Sequence, residues 1–156
     1  MEIENLTFKI EKEYKEFLDY LFSIRDIKYR DFNAKIIVPV DSEIIGIRTP
    51  ILRDIAKKIA KTSSENFLNF FEKLFLKKKI KYYEEKVLYG FLIGYSRMNY
   101  QDRLKRIDFF INIIDNWAVC DIVDSSFKFI NKNKKGLKIN SWKSTKLFNK
   151  IWRKNY

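Results

Sequence analysis

Apolar residues recur along most of the chain at the spacing of an amphipathic helix. Tyr14, Phe17, Leu18 and Leu21 stand at i, i+3, i+4 and i+7 and predict a first helix over roughly Lys9 to Arg25. A shorter apolar stretch follows around Tyr29 to Ile37, then a loop containing Pro39, Asp41 and Gly46. Thr49-Pro50 reads as a helix start, because Thr can cap free N–H groups and Pro at the first helical position loses no hydrogen bond. The helix it opens, Pro50 to Lys61, sets Ile51, Ile55 and Ile59 on one face. Thr62-Ser63-Ser64-Glu65 has the form of a capping box before a helix to about Phe75. Lys77, Lys78, Lys79 and Lys81 make a basic connection into a strongly apolar helix, Tyr82 to Tyr95, in which Gly90 and Gly94 would let another helix approach closely. Leu104, Ile107, Ile111 and Ile114 define a further helix, and Asp115-Asn116 starts the next, Trp117 to Asn131, before Gly136. A last helical segment runs from about Asn140 to Tyr156.

The expected class is therefore all-α, with short links and no strand. Helices of ~11–15 residues in antiparallel succession fit either a bundle or an α-solenoid of helix pairs, and no repeat of fixed period decides between them.

Composition narrows the chemistry. A length of 156 residues is about one domain, and 46% hydrophobic with 17% aromatic residues excludes a disordered chain. Four Gly and two Pro are too few for the turns of a many-stranded sandwich or barrel. The single Cys, Cys120, excludes an internal disulfide framework. His is absent, which removes His-based triads, His general bases and His metal ligands together. No apolar run approaches the ~20 residues of a membrane span, and the charged N-terminus has no secretory pattern, so a cytoplasmic protein without a membrane partner is expected. Lys plus Arg number 32 against 20 Asp plus Glu, a net charge of +12 that predicts attraction to polyanions, with nucleic acid first. Abundant Lys, Ile, Asn, Phe and Tyr are also what an AT-rich genome produces, so charge alone leaves both readings open.

Two segments concentrate candidate chemistry. On a helix from Trp117, the residues Trp117, Asp121, Asp124 and Lys128 fall in one narrow polar stripe, and the remaining circumference is apolar. Trp117 and Asp121 stand at i, i+4, so an aromatic face and a carboxylate project side by side. A merely solvated stripe with a packed Trp is the alternative. In Gly46-Ile47-Arg48-Thr49-Pro50-Ile51-Leu52-Arg53, a helix N-terminus flanked by Arg48 and Arg53 suits a phosphate. Arg53, Lys57 and Lys61 recur every four residues opposite Ile51, Ile55 and Ile59; for Lys57 and Lys61 an ordinary solvated face is the competing reading.

These residues resemble a family. GIRTPxLR, followed by YYEE (Tyr82 to Glu85) and then IDNWAVCD (Ile114 to Asp121), is similar to the bacterial DNA alkylation repair proteins of the AlkD type, from about Phe32 to Asn133. The resemblance implies one domain over 1–156, an α-solenoid of HEAT-like antiparallel helix pairs curved around duplex DNA that carries alkylated bases. It implies a glycosylase that releases cationic N3- and N7-alkylpurines with no metal, no cofactor and no flipping of the base into a pocket. Asp121 matches the family's catalytic carboxylate and Trp117 the aromatic residue against the cationic nucleotide. Arg48, Thr49 and Arg53 match the loop and helix start that grip the DNA backbone. Lys57, Lys61 and Lys128 are further DNA-binding candidates, and Arg153 lies about where the family has a later Arg.

Residues 136–156 do not resemble the family's continuation, so a C-terminal truncation is expected, with self-association through Trp142 to Trp152. Two rival functions remain: a non-catalytic nucleic-acid-binding module of the same fold, and a protein-binding helical scaffold.

Overall fold

The computed structural model describes residues 1–37 and 42–128, apart from the side chain of Trp117. A 3₁₀ turn at Ile3–Asn5 precedes α1 (Glu11–Ser23), α2 (Ile27–Ile36), α3 (Thr49–Thr62), α4 (Ser64–Leu76), α5 (Tyr83–Tyr95), α6 (Tyr100–Ile113) and α7 (Trp117–Asp124). Among the described residues there is no strand, and an isolated bridge joins Glu43 to Tyr82. No helix among them is long and apolar enough to cross a membrane.

α5 is the axis of the molecule. It is buried from Tyr83 to Ile93, with α3 packed along one side and α7 along the other. α4 and α6 form a second layer, joined by the Phe75–Phe109 ring contact at 5.6 Å and by Arg106, which reaches Glu72 and Asn69. With α3, α5 and α7 in one layer and α4 and α6 in the other, the helices make the α-solenoid of HEAT-like pairs, the alternative that periodicity could not select. Glycine permits the close stacking: a Cβ at Gly90 would lie 2.6 Å from Phe110 Cζ and 2.7 Å from Val123 Cγ2, and one at Gly94 would lie 2.6 Å from the Ser126 carbonyl oxygen. Phe8, Tyr14, Phe17 and Phe67 close the N-terminal end of the core through mutual ring contacts.

Several sequence expectations change. The stretch around Tyr29 to Ile37 is the helix α2, capped by Asp26, whose side chain accepts from the Tyr29 N–H at 3.0 Å. Thr49 does not cap α3. It is already helical, the extended Arg48 precedes it, and the Arg48 carbonyl receives the Ile51 and Leu52 amides. The capping box at Thr62 does not form either, since α3 continues through Thr62, whose hydroxyl bonds back to the Lys58 carbonyl. Ile51 lies outside the buried face of α3, which Leu52, Ile55, Ala56 and Ile59 make. α7 stops at Asp124 and turns at Ser125 and Ser126, so Lys128 lies beyond the helix and the stripe does not reach it. Pro39, Asp41, Asn131, Gly136, Arg153 and the segment Asn140 to Tyr156 lie outside the described residues.

Candidate nucleic-acid interface

The loop before α3 is built around one buried carboxylate. Glu84, at the start of α5, accepts the backbone N–H groups of Ile45 (2.9 Å), Gly46 (2.7 Å) and Ile47 (3.2 Å). Burial pushes the Glu84 carboxyl up, and those amides act against the shift. Gly46 turns the chain with φ +103°, where a Cβ would come within 2.7 Å of both Arg30 Cβ and the Asp26 carbonyl oxygen. Only glycine fits both the conformation and the space. Its carbonyl accepts the Asp26 N–H at 2.8 Å, which ties the loop to α2.

That loop delivers Arg48 to the surface. Its guanidinium donates to Asp26 from Nε (3.1 Å) and Nη2 (2.8 Å) and lies 5.0 Å over the Tyr29 ring. The Tyr29 backbone N–H, and after it the Arg48 guanidinium, hold the Asp26 carboxyl below the ordinary range. Thr49 is half-buried in the first turn of α3.

Arg53 crosses the layer. Its guanidinium carbon lies 5.5 Å over the Phe91 ring of α5, and Nη2 donates to Ser125 Oγ at the end of α7 (3.2 Å). Nε is enclosed and has no hydrogen-bond partner among the described residues. Lys57, one turn on, sets its ammonium 5.7 Å over the Tyr95 ring. Asp121 stands one helical turn before Ser125, exposed, its carboxylate with no hydrogen bond or ion pair among the described residues. The tertiary structure thus brings Arg53 of α3 against the end of the helix that carries Asp121. Trp117 opens that helix, one further turn back, behind Asn116, whose side chain caps it through the Val119 N–H (3.1 Å).

The sequence model of the DNA alkylation repair enzyme family matches residues 18–149. The chain belongs to this family. The match begins within α1 and runs past the described residues, wider at both ends than the span from Phe32 to Asn133. No curated protein and no solved structure matches the chain.

Within this family member the basic stripe of α3 divides. Lys58 pairs with Glu4 at 3.5 Å; Glu4 is held below the ordinary carboxylate range first by its own backbone N–H, then by Lys58 and Lys61. Lys58 is thus engaged by the N-terminal turn, and Arg53 and Lys57 lie over the aromatics of α5. Lys128 is exposed in the turn after α7.

Sequence reasoning read Asp115-Asn116 only as a helix start and Glu84-Glu85 only as part of a family motif, and assigned no role to Ser42 or Lys86, which help to hold these segments together. Lys86 of α5 forms a buried ion pair with Asp115 at 2.9 Å, and Asp115 also accepts from Ser42 Oγ (3.2 Å) and Asn116 Nδ2 (2.8 Å). Glu85 accepts the Lys81 and Tyr82 amides and the Tyr14 hydroxyl at 2.7 Å. A signal was present: Glu84-Glu85-Lys86 opens a helix that is otherwise apolar all round, and charges in such a helix must be buried with partners. A cavity of about 640 Å³ belongs to the other layer, between α4 and α6, lined by Leu68, Asn69, Glu72, Arg97, Met98 and Arg106 among others. Among the described residues no group of three or more His, Cys, Asp or Glu could hold a metal ion.

Proposed function

We propose that this family member, as one helical-repeat domain over 1–156, is a DNA glycosylase that hydrolyses the N-glycosidic bond of cationic N3- and N7-alkylpurines without flipping the base. The observation that carries this reading is the Arg53 side chain, which spans from the grip segment across Phe91 to Ser125, one turn from the exposed Asp121. A phosphate bound there would sit beside the carboxylate that the chemistry needs. Arg48, Thr49, Arg53, Lys57, Lys61, Lys128 and Arg153 are the candidates for holding the backbone of duplex DNA, and Trp117 packs against the cationic nucleotide.

The alkylated purine already bears a positive charge, so the bond from C1′ breaks with both electrons leaving on the base, which becomes neutral. Asp121 stabilises the oxocarbenium ion left on the sugar and orients a water whose oxygen bonds to C1′, its proton passing to the carboxylate or to solvent. No metal or cofactor enters these steps.

Release of N7-methylguanine from duplex DNA, measured for the wild type and for Asp121→Asn, tests the reading. The variant keeps size and hydrogen bonding and loses the charge, so excision falls by at least ~10²-fold while DNA binding holds or tightens. Wild-type excision in the variant would remove Asp121 from the chemistry. Binding of DNA with no excision by the wild type would replace the glycosylase with the non-catalytic module.

A further inference from the structure

α5 opens with three consecutive charged residues, Glu84, Glu85 and Lys86, each less than 8% exposed. Isolated buried charges are unfavourable, so each must return something through the partner it holds. Glu84 and Lys86 are two positions apart on a helix, roughly 200° around its axis, and so point to opposite sides. Those are the sides on which α3 and α7 lie. Glu84 takes the three amides of 45–47 and thereby sets the turn that presents Arg48. Lys86 takes Asp115, whose other oxygen receives Asn116 Nδ2, and Asn116 Oδ1 caps the first turn of α7.

The geometry points to Glu84 and Lys86 as positioning residues for two separable tasks of the site. Glu84 holds the grip on the DNA backbone. Lys86, through Asp115 and Asn116, sets the start of α7 and so the placement of Trp117 and Asp121. This inference rests on the proposed function, its first half on DNA binding through Arg48 and its second on the glycosylase chemistry, and wild-type protein that binds no duplex would overturn both.

The test separates affinity from rate, with Glu84→Gln and Lys86→Met measured for duplex Kd and for single-turnover release of N7-methylguanine at saturating protein. For Glu84→Gln the main effect is on binding: Kd rises about tenfold and the slope of log K against log salt falls by about 1, as one phosphate contact is lost. For Lys86→Met the main effect is on the saturated rate, which falls about tenfold or more because Asp121 is misplaced, while Kd changes less than about threefold. Lys86→Arg keeps the charge and restores the rate. Where Lys86→Met does not fold, the double variant Lys86→Met with Asp115→Asn removes both charges together and carries the same rate loss.

If the wild type binds DNA but releases no base, the glycosylase reading fails and this one is still measurable. In a Trp142→Phe, Trp152→Phe background, Lys86→Met alters the quenching of Trp117 fluorescence by DNA at saturation, and Glu84→Gln shifts only the DNA concentration at which quenching occurs. Losses in Kd and rate of equal size in both variants, or no loss in either, overturn the assignment.

Discussion

Arg53 joins three helices with one side chain: its stem leaves α3, its guanidinium covers Phe91, and Nη2 ends on Ser125. Stacked on a ring and anchored at one nitrogen, the group loses little further freedom when a phosphate arrives, and its remaining edge offers further donors. Arg48 is held in the same way by Asp26 and Tyr29. Affinity for duplex DNA should therefore fall steeply with salt, and Arg53→Ala should lower the slope of log K against log salt by roughly 1. Titrations at three salt concentrations measure this, and an unchanged slope would take Arg53 out of the interface. Lysine at position 53 is not equivalent, because an ammonium cannot cover a ring and reach Ser125 with separate nitrogens.

At the scale of the element, α5 combines an apolar body with a charged first turn, whose two carboxyl groups respond to pH in the opposite way to those at the surface. Burial raises the carboxyl groups of Glu84 and Glu85 above the ordinary value; the backbone amides on Glu84 and the Tyr14 hydroxyl on Glu85 oppose it. With folded values above the unfolded one, the folded chain binds more protons in the interval between them. Stability contributed by this pair is then present at the acid end of the interval and is lost as pH rises through the folded values. Glu13 and Asp26 behave inversely: the Thr7 hydroxyl lowers the first, the Tyr29 amide and Arg48 lower the second, and their contribution is lost as pH falls through the folded values. Urea unfolding of the wild type and Glu84→Gln across mildly acid to neutral pH separates the two. The stability of the wild type relative to the variant should decline as pH rises, and a difference that grows with pH would contradict the raised carboxyl.

For the molecule as a whole, stability comes from the stacking of neighbouring helix pairs, and a point where that stack has no spare room is Gly90 against Phe110 and Val123. Gly90→Ala places a methyl where both faces are already filled, an overpacking worth about 1–3 kcal/mol. Because each pair in a solenoid leans on its neighbours, the effect should be regional: amide exchange should quicken in α6 and α7 well before it does in α1. Uniform acceleration along the chain would mean that the layers unfold as one unit. The site shares this dependence, since Arg53 and Asp121 come from helices that pack on α5 and touch each other's ends through the Arg53–Ser125 hydrogen bond.

What depends on neighbours in the chain was legible before folding. The helical period placed α1 and α3 to α6 to within a few residues, Gly90 and Gly94 announced a close helix approach, and the GIRTP and DNWAVCD segments marked the family and the residues proposed for its chemistry. Local rules failed where a competing interaction came from elsewhere. Thr49 loses the cap because the chain is already helical there, after a loop held by Glu84, which lies 38 positions beyond Gly46. α7 ends at Asp124 although its apolar pattern continues, and the following turn packs Ser126 against Gly94. It is the packing of the layers that makes Arg53 meet Ser125 across 72 positions and lets three adjacent charges in α5 each hold a different segment. Periodicity reports which face of a helix is apolar. Which helices share that face, and so which distant polar groups must satisfy one another, is settled when the layers stack and water is excluded.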